Sequence, residues 1–220
     1  MTLAFSKVAI IGAGAMGRGI AQIAAQAGSQ VWLFDTQSGA SAKAREAIGQ
    51  TWDKLADKGK LTPETVASYK ARLLDAATLQ DLASCELVVE AIVEKLDIKK
   101  AVFADLEKVL TADAVLVTNT SSLSVTAIAA GMQHPGRFAG YHFFNPVPLM
   151  KVVEVIAGLK TEAATCQRLT EFARQMGHTP VQAQDTPGFI VNHAGRGYGT
   201  EALRIVSEGI ADFATIDRIL

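Results

Sequence analysis

The chain has 220 residues, of which 49% are hydrophobic and 20% are charged, with a formal net charge of -1. This composition is typical of a globular domain, and the near-neutral charge gives no support for a nucleic-acid or anionic-membrane partner. We expect no signal peptide, because the start lacks a basic stretch, and no apolar run is long enough to span a bilayer. The two cysteines indicate neither a disulfide framework nor a metal site, so we expect a reducing, cytoplasmic setting.

The first elements in chain order form a recognisable unit. A buried strand at 8–11 is followed by a glycine turn, a helix at 15–27 and a second strand that ends at Asp35. This order of elements is typical of a dinucleotide-binding fold, so we expect a nicotinamide or flavin cofactor.

Each glycine of the turn, and Asp35, has a physical role in binding a dinucleotide. Gly12 allows the tight turn, Gly14 lets the backbone approach a pyrophosphate, and Gly17 lets the helix pack against the sheet. The helix directs its free N–H groups at the phosphates. Asp35 is placed to accept hydrogen bonds from the ribose hydroxyls and would repel a 2′-phosphate, which favours NAD over NADP.

Strand and helix patterns then alternate, which predicts a mostly parallel, Rossmann-type α/β sheet with helices on both faces. Further helices are expected at residues 40–58, 95–110, 161–176, 189–209 and 211–220. One more helix is expected to begin at residue 62. Further strands are expected at 86–92, 114–118, 137–144 and 151–156.

A break at 185–188 has the turn chemistry of a domain junction. We therefore predict an NAD-binding domain over residues 1–184 and an incomplete, all-helical C-terminal domain over residues 185–220. Two helices cannot build an independent core, so we expect either a fragment or a terminal region that packs on a partner chain. A frayed terminal helix is the alternative.

A histidine and a glutamate suggest acid–base chemistry. His142 ends a strand-like segment before a proline-containing loop, where an imidazole suits a general base; a packed histidine with one hydrogen bond is an equal alternative. Glu154 lies in an apolar run, so its carboxylate needs a partner, and a nearby imidazole would serve as in a serine-protease triad. The alternative for Glu154 is an edge-strand position facing water.

Two polar residues are candidates for holding a substrate. Ser121 directly follows a strand, at the carboxyl edge where ligands bind, although it could instead cap a helix, a role that Ser122 or Ser124 could also take. Asn192 lies one turn into the helix after Pro187, where its amide could orient a carbonyl or hydroxyl. A plain helix-surface position is the simpler interpretation of Asn192.

Four motifs, at 12–17, 119–123, 140–148 and 185–192, resemble the NAD-dependent (S)-3-hydroxyacyl-CoA dehydrogenases in order and spacing. The resemblance covers essentially the whole chain. It implies hydride transfer between NAD and C3 of a 3-hydroxyacyl-CoA/3-oxoacyl-CoA pair, as in β-oxidation of fatty acids. It makes His142 the general base and Glu154 the residue that orients it, with Ser121 and Asn192 holding the reacting oxygen.

The resemblance also implies binding residues. Its cofactor contacts are Gly12, Ala13, Gly14, Ala15, Met16, Gly17, Asp35, Glu94, Lys99, Asn119, Ser121 and Asn145. Asn145 would also support the histidine loop. Thr51 and Lys58 match positions associated with CoA, and Lys54, Lys58 and Lys60 have the charge to meet its phosphates. A solvated basic helix end is an equal alternative for these lysines.

The chain also departs from the family pattern. His193 stands where members usually carry arginine, within a glycine-rich variant that resembles the phenylacetate-degradation branch acting on 3-hydroxyadipyl-CoA. Most of the family's helical C-terminal domain, with its dimer interface, is missing, so a homodimer is expected only if that domain is complete. Two alternatives stay open: a dehydrogenase of small 3-hydroxy acids, which commonly uses a lysine, and a non-catalytic NAD-binding fragment.

Overall fold

The computed structural model describes residues 2–219 and contains an eight-stranded sheet in the order β3-β2-β1-β4-β5-β6-β7-β8. The strands are β1 (Lys7–Ile11), β2 (Gln30–Phe34), β3 (Leu73–Asp75), β4 (Leu87–Glu90), β5 (Val115–Thr118), β6 (Phe138–Phe143), β7 (Val152–Ala157) and β8 (Thr179–Gln184). Neighbouring strands pair in parallel, except that β6 and β7 are antiparallel. The predicted mostly parallel, Rossmann-type sheet is confirmed.

Eight helices accompany the sheet within the described range. They are α1 (Ala15–Ala27), α2 (Ala40–Asp57), α3 (Pro63–Ala71), α4 (Leu96–Val109), α5 (Val125–Ala129), α6 (Ala163–Gln175), α7 (Val191–Ser207) and α8 (Phe213–Ile219). The predicted helices lie within a few residues of these bounds, and residue 220 of the last one falls outside the described residues. Over residues 2–219, no helix has both the length and the apolarity needed to cross a bilayer.

The sequence interpretation missed both edge strands, β3 and β8. The β8 strand contains Pro180 and is largely polar and partly exposed, so it lacks the apolar pattern that predicts a buried strand. The β3 strand has only three residues. Both exist because a neighbouring strand, β2 for β3 and β7 for β8, supplies the partner for their backbone groups.

Helices cover both faces of the sheet, and β1 shows how the core divides. Val8 and Ile10 point to the side where α1, α2 and α6 pack, whereas Ala9 and Ile11 point to the side of α4 and α5. Because side chains alternate along a strand and both faces are buried, the strand is apolar throughout. The strand order reverses at β1, so a crevice is expected at the carboxyl ends of β1 and β4.

Asp185 ties the segment after β8 back to the sheet. Its carboxylate accepts hydrogen bonds from the Ser124 hydroxyl and from the N–H groups of Val125 and Thr126, each at 2.8 Å, at the start of α5. Burial acts to raise the pKa of Asp185, but these hydrogen bonds outweigh it and hold the pKa below its ordinary value. The predicted domain division next to this residue stays a prediction.

The substitution Asp185→Ala should lower the free energy of unfolding by about 1–3 kcal/mol at about pH 7, because it removes three hydrogen bonds to a carboxylate. The pKa of Asp185 is lower in the folded protein than in the unfolded chain, so this stabilisation is fully present when the pH is above the ordinary pKa of an aspartate. It is lost as the pH falls through the pKa that Asp185 has in the folded protein. Urea unfolding should therefore show a smaller difference between the two proteins at about pH 3 than at about pH 7. Asp113→Ala, at an exposed position, is the control; a pH-independent difference for Asp185→Ala would contradict the role.

Candidate active site

The turn between β1 and α1 requires glycine at two positions. Gly12 has a φ of +102°, and a Cβ there would lie 2.5 Å from the Ala91 carbonyl oxygen. A Cβ on Gly17 would lie 1.8 Å from the Gly12 carbonyl oxygen. A side chain at Gly12 would therefore clash with the residue after β4, and one at Gly17 would push α1 away from the turn.

A cavity of about 570 Å³ opens at this turn, lined by Gly12, Gly14 and Asp35. A Cβ on Gly14 would meet no atom within 4 Å, so the backbone there is open to a ligand. The Asp35 carboxylate accepts hydrogen bonds from the N–H groups of Ala13 and Gln37, both at 2.8 Å, which hold it at the end of β2. An open backbone, a helix N-terminus and a fixed carboxylate fit a dinucleotide.

The walls of this cavity are mostly apolar, as a flat aromatic base requires. They include Phe34, Leu79, Ile92, Ile98 and Val102. Ala15 and Met16, two of the expected cofactor contacts, form the first turn of α1.

His142 and Glu154 face each other across the antiparallel strands β6 and β7. The Nδ1 atom of His142 lies 2.7 Å from Oε2 of Glu154, and both side chains are buried. The other carboxylate oxygen accepts hydrogen bonds from the N–H groups of Ile190 and Val191, each at 2.9 Å. Glu154 therefore does not face water, and an imidazole that donates its Nδ1 proton to this carboxylate keeps the Nε2 lone pair free.

The pair also determines where α7 begins. The two N–H groups that Glu154 binds belong to Ile190, which immediately precedes this helix, and to Val191, its first residue, where a negative charge is favourable. The ring of Phe189, which precedes them, lies 5.6 Å from the His142 ring between centroids, and the ring of Phe144 lies at 4.5 Å. Two aromatic rings thus flank the imidazole.

Ser121 and Asn192 lie next to each other, and the substrate contacts expected of them stay a prediction. The Asn192 side-chain amide donates to the Ser121 carbonyl oxygen at 3.4 Å, and Asn192 is half-buried. The cap of α5 is Ser124, which accepts a hydrogen bond from Ala127, so the exposed Ser121 is not used as a cap. Asn119, at the end of β5, accepts a hydrogen bond from the Phe143 N–H group at 2.9 Å and so fixes the residue after His142.

Glu94 holds the loop that carries Ser121. Its carboxylate accepts hydrogen bonds from the Thr120 hydroxyl, the Ser121 N–H group at 3.0 Å and the Ser122 hydroxyl at 3.1 Å. Burial acts to raise the pKa of Glu94, but these bonds and the charge of Lys99 outweigh it, so the pKa lies below its ordinary value. Glu94 is therefore a carboxylate at neutral pH.

A buried ion pair lies beneath Glu94. The Lys99 ammonium is 2.5 Å from Oε1 of Glu90 and 3.2 Å from Oε2 of Glu94, and Lys99 is only 1% exposed. Glu90 also accepts hydrogen bonds from the Thr118 hydroxyl at 2.7 Å and the Ile92 N–H group at 2.8 Å. The cofactor contact expected of Lys99 stays a prediction, because its ammonium is already held by two carboxylates.

The sequence interpretation missed Glu90, Thr118 and Thr120. Glu90 carries the same signal that singled out Glu154, because it is a carboxylate within an apolar strand. Its partner Lys99 is nine residues further along. The threonines give no such signal, since threonine is common in strands.

Lys99→Met should lower the free energy of unfolding by about 3–5 kcal/mol, because it leaves the Glu90 carboxylate buried without a cation. Adding Glu90→Gln should restore much of this loss, since a neutral amide costs far less to bury. Denaturant unfolding measures both variants, with the exposed Lys95→Met as the control. A double variant no more stable than Lys99→Met would show that the pair is not what holds this region.

The expected CoA contacts lie elsewhere on the same domain. Thr51 is exposed on α2 and, together with Asn145, lines a groove of about 250 Å³. Lys58 is exposed at the end of α2 and does not line that groove.

The fold and the cavity at the glycine turn define a Rossmann-type dinucleotide-binding domain. A family model described as "3-hydroxyacyl-CoA dehydrogenase, NAD binding domain" matches residues 7–186, and the chain belongs to this family. Its cofactor is NAD, as the sequence predicted. The resemblance drawn from the four motifs is confirmed.

Proteins of known name support this assignment. The chain is 44% identical to the 3-hydroxyadipyl-CoA dehydrogenase of Escherichia coli K12, across 100% of this chain and 46% of the relative. It is 43% identical to a probable 3-hydroxybutyryl-CoA dehydrogenase of Deinococcus radiodurans, across 97% and 77%. A crystal structure of an Escherichia coli 3-hydroxybutyryl-CoA dehydrogenase aligns with a TM-score of 0.91 at 45% identity, across 94% and 44%. The chain thus spans about half of one relative and three quarters of another.

Proposed function

We propose that the protein interconverts a 3-hydroxyacyl-CoA and the corresponding 3-oxoacyl-CoA with NAD. The observation that carries this proposal is the buried His142–Glu154 pair, with Nδ1 and Oε2 2.7 Å apart. It lies in the sheet whose carboxyl edge also holds the dinucleotide cavity. A base held in one tautomer beside a hydride acceptor is what oxidation of an alcohol requires.

The proposed chemistry assigns one proton transfer to the chain. In the oxidative direction, Nε2 of His142 takes the proton of the substrate 3-hydroxyl, and in the reductive direction it returns that proton. Glu154 holds the Nδ1 proton and stabilises the imidazolium that forms. NAD, when bound, accepts the hydride from C3.

The neighbouring residues position the reactants in this proposal. Ser121 and Asn192 hold the reacting oxygen, and their contact at 3.4 Å supports a shared role. Asn119 fixes the strand after His142, and Glu94 fixes the loop of Ser121. The proposed cofactor contacts are Gly12, Ala13, Gly14, Ala15, Met16, Gly17, Asp35, Glu94, Lys99, Asn119, Ser121 and Asn145.

The proposal extends to the acyl group of the substrate, the metabolic role and the oligomeric state of the protein. The 44% identity to a 3-hydroxyadipyl-CoA dehydrogenase supports 3-hydroxyadipyl-CoA as the substrate, which is the substrate that the resemblance to the phenylacetate-degradation branch implies. We place this β-oxidation-type chemistry in the cytoplasm. The exposed apolar side chains Tyr198, Leu203 and Phe213 on α7 and α8 support a homodimer built through a complete C-terminal domain.

His142→Ala should lower kcat by roughly 10²–10⁴-fold while NADH affinity stays nearly unchanged, because the substitution removes the general base and leaves the glycine turn intact. NADH absorbance with acetoacetyl-CoA measures turnover, and NADH titration measures binding. His134→Ala, at an exposed position directly before the 3₁₀ turn that precedes β6, is the matched control. Turnover that survives in His142→Ala would overturn the assignment of the base.

Glu154→Gln should also lower kcat and shift its pH profile. The amide oxygen can still accept from Ile190 and Val191, but the NH₂ group now donates toward Nδ1, which favours the wrong tautomer. An unchanged pH profile would contradict the proposed pairing.

Two measurements distinguish the proposed function from the two alternatives that the sequence left open. Acetoacetate used as readily as acetoacetyl-CoA would favour a dehydrogenase of small 3-hydroxy acids. NADH binding without turnover of either compound would favour a non-catalytic NAD-binding fragment.

A further inference from the structure

One face of α7 extends away from the candidate active site. Asn192, in the first turn of α7, contacts the Ser121 carbonyl oxygen, so the Asn192 face of the helix is the one turned toward the site. Residues three, four and seven positions further along lie on the same face of a helix. These residues are Gly195, Arg196 and Gly199. Arg196 is therefore the first charged side chain along this face, one turn beyond Asn192.

The charge of Arg196 is available to a ligand. Within residues 2–219, no carboxylate lies within 4 Å of its guanidinium, and the side chain is exposed. Arg204, further along the same helix, is by contrast paired with both Glu201 and Glu208. A guanidinium matches a carboxylate through two parallel hydrogen bonds, so an unpaired arginine beside a substrate site suits an anionic group of that substrate.

The space around Arg196 is open. Gly195 and Gly199 flank it on the same face, and a Cβ on either glycine would meet no atom within 4 Å. Glycine is less favourable than alanine within a helix, so these two residues lower the stability of α7. What they provide is room beside the guanidinium, which an acyl chain can occupy.

Two other cations near this edge of the sheet are less well placed. The His193 ring is turned back along the chain, with Nδ1 3.4 Å from the Pro187 carbonyl oxygen. Lys151 directly precedes β7, and the alternation of side chains puts it on the face of Val153, opposite to that of Glu154. Arg196 is thus the better candidate for a contact with the acyl group.

The distance along the helix suits an acyl chain that ends in a carboxylate. In the proposed function, Ser121 and Asn192 hold the oxygen on C3. In a six-carbon dicarboxylic acyl group, the terminal carboxyl carbon is three bonds from C3, which is about 4 Å in an extended chain. The four residues from Asn192 to Arg196 rise about 6 Å along the helix. The flexible arginine side chain can cover the difference.

We propose that Arg196 binds the carboxylate at the far end of a dicarboxylic 3-hydroxyacyl-CoA and so selects this substrate over a neutral acyl-CoA of the same length. The inference rests on the proposed function and names the residue that determines its acyl specificity. A neutral acyl chain would displace water from the guanidinium and give it no hydrogen-bond acceptor in return, which is unfavourable.

The test compares kcat/KM for 3-oxoadipyl-CoA and 3-oxohexanoyl-CoA, which differ only in a carboxylate or a methyl group at C6. The unchanged protein should prefer 3-oxoadipyl-CoA. Arg196→Gln should lose about tenfold to a hundredfold on 3-oxoadipyl-CoA, mainly through KM, and far less on 3-oxohexanoyl-CoA. Arg196→Lys keeps the charge without the planar fork and should retain part of the preference.

The control is Arg174→Gln, which removes an exposed arginine of α6 and changes the net charge equally. It should leave the preference between the two thioesters unchanged. Equal losses of Arg196→Gln on both thioesters would overturn the proposal, because Arg196 would then serve the fold or the cofactor. An unchanged protein without a preference for 3-oxoadipyl-CoA would overturn it as well, although the proposed reaction would stand.

If the protein turns over neither thioester, the proposed function fails, and binding alone still tests Arg196. Calorimetric titration with 3-hydroxyadipyl-CoA and 3-hydroxyhexanoyl-CoA would then support the role of Arg196 if the first binds more tightly and Arg196→Gln removes the difference. Binding of neither compound, equal binding of both, or a difference that survives in Arg196→Gln would overturn it.

Discussion

The buried carboxylate of Glu154 is the interaction on which the candidate active site depends. One oxygen binds the imidazole of His142 on the neighbouring strand, and the other binds the first N–H groups of α7. A charge removed from water is tolerated only when its hydrogen-bonding capacity is used, and here the donors come from two separate elements. The same residue therefore orients the proposed base and fixes the start of the helix that carries Asn192.

A second buried carboxylate, Glu90, has a parallel role at the end of β4. It too is fully buried and has three donors, from Lys99, Thr118 and Ile92. Through Lys99 it reaches Glu94, which holds the loop of Ser121. The two carboxylates thus position residues on either side of the reacting centre proposed here, and the geometry depends on ionic and polar networks rather than on apolar packing alone.

The start of α1 borders two recesses of the surface. Gly14, just before it, opens to the dinucleotide cavity, and Ala15 lies against the groove that holds Arg18 and Gln22. Under the proposed function, the cofactor occupies the first of these recesses, and α1 separates it from the second.

The sequence by itself determined the β1–α1–β2 unit, the alternation of strands and helices, and the need of Glu154 for a partner. These follow from local spacing, from glycines that no other residue can replace, and from the cost of a carboxylate in an apolar strand. Only the tertiary structure decided the edge strands β3 and β8, the use of Ser124 rather than Ser121 as a cap, the Glu90–Lys99 pair and the groove lined by Thr51 and Asn145. Each of these depends on which distant segments become neighbours, and strand order and register, not local pattern, determine that.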